Sequence, residues 1–130
     1  MKTIYYAHAL CVYGTPCERA ELKAIRGKFK KYRIINPSRY GNDPEKLRDR
    51  IGFCLRLVEK CDIVVFSCLL GKVTAGVGKE VNHALKIGTA VYELQPKSVV
   101  RRRQKVKHLS IKGSILQYRR WWHIRGGNPW

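Results

Sequence analysis

The stretch DIVVFSCLLGKVTAGVGKEVNHALKIGTAVYEL, residues 62–94, decides how the rest of the chain is read. Its opening, Asp62–Leu70, is the most hydrophobic run in the sequence and barely alternates. An alternating strand has one wet face, whereas an unbroken apolar strand is covered on both, as in the middle of a parallel sheet. Gly76–Ile87 then carries apolar residues at helical spacing, and Thr89–Leu94 returns to a β pattern. Strand, glycine-bearing turn, helix and strand in this order make one parallel crossover unit.

The preceding residues extend the unit. Lys2–Ala7 reads as a short first strand. Cys17–Tyr32, with Pro16 before it, sets Ala20, Leu22, Ala24, Ile25 and Phe29 on roughly one face and reads as a helix. Arg33–Asn36 is a brief strand stopped by Pro37. Asp43–Lys60 opens with an acceptor before Pro44 and presents Leu47, Ile51, Cys54, Leu55 and Val58 as one further helix. The order β-α-β-α-β-α-β predicts an α/β domain over residues 1–94: a doubly wound, mostly parallel sheet of four to five strands, Rossmann- or flavodoxin-like.

After Gln95-Pro96 the chain changes character. Residues 1–94 carry 17 Lys/Arg and all 9 Asp/Glu, while residues 95–130 carry 10 Lys/Arg and no acid, within a net charge of +18. Val99–Lys107 is basic, Ser110–Trp122 reads as a strand followed by a helix, and GGNPW at 126–130 reads as a loose end. Tyr118, Trp121 and Trp122 supply enough apolar area for this C-terminal extension to dock on the domain or on a partner subunit. The charge points to anionic partners, and Arg101, Arg102, Arg103, Lys105 and Lys107, followed by stacking rings, are the ingredients of a nucleic-acid contact.

No apolar run approaches the about 18 residues of a membrane span, and the interrupted N-terminus MKTIYYAHAL reads as a strand rather than a signal peptide. Cys11, Cys17, Cys54, Cys61 and Cys68 form an odd set with no C-x-x-C pair, which fits reduced thiols in a cytoplasmic protein better than a zinc site or a disulfide framework.

Doubly wound sheets bind ligands beyond the carboxyl ends of their strands, where the order of strands reverses. That crevice is expected between the loop after the first strand (His8–Thr15) and the loop after the third (Cys68–Ala75). Gly76 and Gly78 let backbone approach a ligand, and the amides of the helix start favour an anion. Lys72 and Lys79 flank the same loop, His8 stands at the strand end, and Glu80 falls within about the first helical turn. Glu80 and His83 also spell E-x-x-H, but a di-iron centre needs a second copy and further carboxylates, and none is present. No metal or organic cofactor is expected.

At these residues the chain resembles a family. TAGVGKEVNHALKIGTAVYEL (74–94) is similar to the signature of the nucleoside 2-deoxyribosyltransferase superfamily, and GVGKE (76–80) is closest to its branch of 2′-deoxynucleoside 5′-phosphate N-hydrolases. IYYAHA (4–9) and CDIVVF (61–66) resemble that superfamily's first and third strands, so the likeness spans residues 1–94. It implies that Glu80 is the catalytic glutamate acting on the anomeric carbon and that Tyr5 orients it. It further implies that Thr74 contacts a 5′-phosphate, that Gly76 and Gly78 line its pocket, and that dimers form in which a neighbour helps close it. Three positions depart from the pattern, the first being His8, which stands where the family usually has glycine. Thr74 replaces the aspartate of the transferase branch, and the base-side aspartate has no clear match: its place falls at Cys54, with Asp49 the nearest acid.

The resulting expectation is an N-glycosidase-like hydrolase of a nucleoside 5′-monophosphate or related nucleotide, forming a homodimer closed by part of residues 97–130, because a four-strand domain supplies no lid of its own. Its alternatives are a non-catalytic module for a nucleotide or ADP-ribose-like ligand, and a nucleic-acid binder acting through the tail.

Overall fold

A computed structural model describes residues 1–129, which form a five-stranded sheet and five α-helices. The strands are β1 (Thr3–Ala7), β2 (Arg33–Ile35), β3 (Ile63–Ser67), β4 (Ala90–Gln95) and β5 (Ser98–Arg102), in the order β2-β1-β3-β4-β5. Pairings β1–β2, β1–β3 and β3–β4 are parallel, and β5 runs antiparallel to β4. Helix α1 (Pro16–Lys28) joins β1 to β2, and α2 (Pro44–Arg48) with α3 (Arg50–Glu59) joins β2 to β3. Helix α4 (Ala75–Lys86) joins β3 to β4, and α5 (Ile111–Arg125) follows β5. This is the expected doubly wound α/β fold. The direction of winding reverses between β1 and β3.

Each helix start has a local cause. Thr15 accepts from the Glu18 N–H with Pro16 at the first helical position, and Asp43 accepts from the Glu45 N–H ahead of Pro44. The single helix expected over Asp43–Lys60 is two. Asp49 leaves the helical region (φ −149°, ψ 85°) and its carboxylate accepts from the Gly52 N–H, so it ends α2 and caps α3. Residues 29–32, expected at the end of the first helix, lie beyond α1, where Phe29 adopts a non-helical conformation.

The period of two along β1 divides the core. Tyr5 and Ala7 pack with Val64, Phe66 and Val91 against Val58 of α3 and Val77, Val81 and Ala84 of α4. Ile4 and Tyr6 pack with Ile63, Val65 and Leu94 against Leu22 and Ile25 of α1. Burial of each such aliphatic side chain contributes roughly 1.5–3 kcal/mol before entropy is charged against it.

The C-terminal extension completes the domain. After β5, an extended strap of residues 103–109 lies along α4. The Asn82 side chain donates to the Val106 carbonyl (3.0 Å) and accepts from its N–H (2.8 Å), imitating an edge strand. The Leu109 N–H donates to the Val73 carbonyl (2.8 Å).

The strand expected at the start of Ser110–Trp122 is absent. Ser110 caps one continuous helix by accepting from the Gly113 N–H, and that helix inserts Ser114, Tyr118 and Trp121 at spacings of four and three. Trp121, 3% exposed, packs on Ala9, Val12, Cys17 and Leu69 at the carboxyl edge of the sheet. Gly126 closes the helix in the left-handed region (φ 59°), and the Cys17 N–H donates to the Gly127 carbonyl (3.0 Å). Residues 126–128 are therefore tied down rather than loose; Trp130 lies outside the described residues. Among the described residues, no helix is long and apolar enough to cross a membrane.

Candidate active site

At the reversal point a cavity of about 360 Å³ opens between the loop after β1 and the start of α4. The loop side supplies His8 and Tyr13, α3 supplies Cys54, and the α4 side supplies Thr74, Gly76 and Glu80. Ile111, Ser114, Ile115 and Tyr118 of α5 form a further wall. The lid expected from a second subunit is thus supplied, at least on this side, by the chain itself. The cause is the docking of Trp121, which fixes α5 across the sheet edge.

Glu80 is the sole carboxylate among the lining residues, 6% exposed. The Tyr5 hydroxyl, itself fully buried, donates to its Oε2. Burial drives the carboxyl from an ordinary 4.5 to about 7; the hydrogen bonds of Tyr5 and Cys54 and the charge of Lys46 hold it from rising further. Tyr5 and Tyr6 point to opposite faces, as adjacent strand residues must. Both are core, and Tyr6 donates to Glu21 at 2.6 Å on the α1 side.

His8 serves as wall and brace. Its ring stacks on Tyr6 with centroids 3.7 Å apart, Nδ1 lies 3.1 Å from the Tyr6 carbonyl, and Nε2 lies 2.7 Å from Glu18 Oε2. A carbonyl only accepts, so Nδ1 carries a hydrogen, and a further proton must lie between Nε2 and the carboxylate. Burial raises the Glu18 pKa, but the His8 hydrogen bond and charge and the Gly14 N–H outweigh it, so the carboxyl sits below its ordinary range. Lys46 places Nζ 5.3 Å from the Tyr13 ring centroid and donates to the Pro37 carbonyl.

The opening of α4 holds anion-binding groups. Thr74 is the N-cap residue, yet its side chain makes no capping hydrogen bond. The Ala75 N–H is taken by Ser114 Oγ at 2.8 Å. The N–H groups of Gly76 and Val77 belong to the first turn, where no intrahelical acceptor exists, and both residues line the cavity. Arg50, exposed, stands at the mouth.

The structure brings together His8, Thr74, Gly76 and Glu80, with Tyr5 behind Glu80. It does not bring in two others. Lys72 is exposed on the tight turn formed by Leu70 and Gly71, both at positive φ. Gly78 turns away from the cavity toward the strap, where a Cβ would overlap the His108 side chain. Asp49 is exposed and occupied as a cap, while Cys54 does line the cavity, its thiol pushed by burial to about 11. His83 lies 3.6 Å from Glu59 in a different hollow from Glu80, and among the described residues no cluster of three His, Cys, Asp or Glu is arranged to hold a metal. Tyr13, Arg50, Ser114 and Tyr118 are lining residues that the sequence reading did not assign to the site; the spacing 114/118/121 was the available signal for the last two.

Fold and site together define a doubly wound α/β protein with a buried, tyrosine-braced glutamate in its switch-point cavity. Comparison with protein-family models, curated proteins and solved structures gives no match.

Proposed function

We propose that the protein is an N-glycosidase that hydrolyses a nucleoside 5′-monophosphate or a related nucleotide. The observation that carries this reading is the Glu80 carboxylate, buried in the wall of a cavity of about 360 Å³ and held by the Tyr5 hydroxyl. The sequence resemblance around residues 74–94 points the same way. An oxygen of ionised Glu80 bonds to the anomeric carbon as the C–N bond breaks, and the electron pair leaves with the base, which takes up a proton. Water then cleaves the glycosyl ester, releasing the sugar 5′-phosphate and restoring the carboxylate. Tyr5 fixes the attacking group. The N–H groups of Gly76 and Val77, the Thr74 hydroxyl and Arg50 are the phosphate contacts this reading assigns.

A binding module without turnover is the second reading. It is favoured by Cys54, which occupies the place of the base-side acid and whose thiol, at about 11, is a weak proton donor. Incubation with a panel of ribo- and deoxyribonucleoside monophosphates, followed by chromatography of free base, separates the two. Release that Glu80→Gln abolishes supports hydrolysis; tight binding without release supports the module; neither binding nor release removes both.

A further inference from the structure

The face of α4 turned away from Glu80 meets the strap in a groove of about 630 Å³. Lys79, His83 and Lys86 line it from the helix, and Lys105 and His108 from the strap; no carboxylate is among the lining residues. Positions 79, 83 and 86 form one stripe, because residues three and four apart share a helix face. Glu59, half-exposed, lies 3.6 Å from His83 Nε2.

The backbone that carries these cations is held in place, while the lysine side chains are exposed and have no carboxylate partner. Among the described residues, only Arg48 and Arg102 of the 27 Lys/Arg come within 4.0 Å of a carboxylate. The strap that carries Lys105 is pinned by the paired hydrogen bonds of Asn82 to Val106 and by Leu109 to Val73. The bare α-carbon of Gly78 gives His108 its seat. Cations carried on an anchored backbone lose less freedom on meeting a partner than cations on a loose tail.

We propose that this groove binds the phosphodiester backbone of a nucleic-acid strand, with Lys79, Lys86 and Lys105 each meeting a phosphate. Cations on both walls of a hollow grip a narrow polyanion from two sides, whereas a flat layer of lipid headgroups reaches convex surfaces. Exposed Arg103 and Lys107 lie on the same strap as Lys105 and extend the charge beyond a single phosphate, whereas Arg101 stacks over Tyr92 on the α1 face. The contact reads backbone and not sequence. It does not rest on the glycosidase reading.

The test is fluorescence anisotropy of the full chain with labelled 20-nucleotide RNA and DNA strands across 50–200 mM salt. Reversal of the groove (Lys79→Glu, Lys86→Glu, Lys105→Glu) is expected to weaken binding about 30-fold or more at 100 mM salt. It should also flatten the log–log salt dependence by about 2–3, the share of three phosphate contacts. The matched reversal Lys23→Glu, Lys28→Glu, Lys30→Glu on the opposite side keeps the same net charge and should lose far less. Circular dichroism and the milder Lys→Gln triple guard against unfolding as the cause. Equal loss in both triples would reduce the effect to net charge and overturn the groove. Absence of binding by the unaltered chain, or its capture by phosphatidylserine vesicles that nucleic acid fails to displace, would overturn it as well. Glu80→Gln should leave the affinity unchanged, so the two readings fail separately.

Discussion

The Tyr5 hydroxyl donates to Oε2 of Glu80, a residue 75 positions further along the chain. Strand β1 supplies the phenol and the first turns of α4 supply the acid, so the bond exists only when the crossover has formed. Burial also holds the Tyr5 pKa well above its ordinary value, with the Glu80 charge adding to the effect, so the phenol stays a donor across the accessible pH range.

Tyr5→Phe removes that donor and leaves the carboxylate buried without it. The Glu80 pKa then rises further, and any base release at pH 7 is expected to fall about 10- to 100-fold, with partial recovery toward higher pH. Stability should drop by about 1–2 kcal/mol. A pH–rate profile that keeps its shape in the variant would remove Tyr5 from the mechanism.

Glu80 should also leave a pH signature in folding. Its folded pKa of about 7 lies above the ordinary 4.5. Between those values the folded state holds the extra proton, so the stability contributed by Glu80 is complete below about 4.5 and is lost as pH rises through 7. Glu80→Gln does not titrate. Urea melts should therefore show the difference, variant minus wild type, shifting in the variant's favour by on the order of 3 kcal/mol between pH 4.5 and 7.5. A pH-independent difference would contradict a carboxyl whose burial outweighs its hydrogen bonds. Under the nucleophile reading, activity rises over this same interval as Glu80 ionises.

Gly78→Ala probes the strap. The new Cβ collides with His108, and the expected cost is about 1–3 kcal/mol in a thermal or urea melt, with faster amide exchange at Val106. The double change Gly78→Ala, His108→Gly should recover most of the loss, because the collision includes the His108 Cβ, which alanine would keep. No recovery would mean that the glycine is required for some other reason.

Trp121→Ala tests the anchoring of α5. Emptying this site is expected to cost about 3–5 kcal/mol and to loosen the cavity wall formed by Ile115 and Tyr118. Exposed Ile115, Leu116, Trp122 and Ile124 on the same helix are the surface on which the expected homodimer would form. Light scattering should then give twice the 15.1 kDa chain mass, and a monomer at micromolar concentration would remove the dimer.

The pattern of apolar residues and helix-start signals was enough to predict the alternating strands and helices, the parallel sheet and the crevice at its carboxyl edge. These rest on local periodicity and on rules of chain winding that hold whatever the neighbours are. The break at Asp49 was harder to read, because one capping hydrogen bond competes with an apolar stripe that runs through it. Glu80 and Gly76 could be singled out because glycines and an acid crowd one helix start, whereas Tyr5 and Thr74 came only from the family resemblance. What sequence alone did not decide is which chemistry faces which hollow. One helix, α4, turns Glu80 inward and Lys79 and Lys86 outward, and Gly78 serves the strap instead of the cavity. The basic tail belongs to the domain because β5 pairs with β4 and Trp121 finds a socket made by residues more than 50 positions away. Such a fit depends on the volume left by other elements, which no local pattern in residues 95–130 encodes.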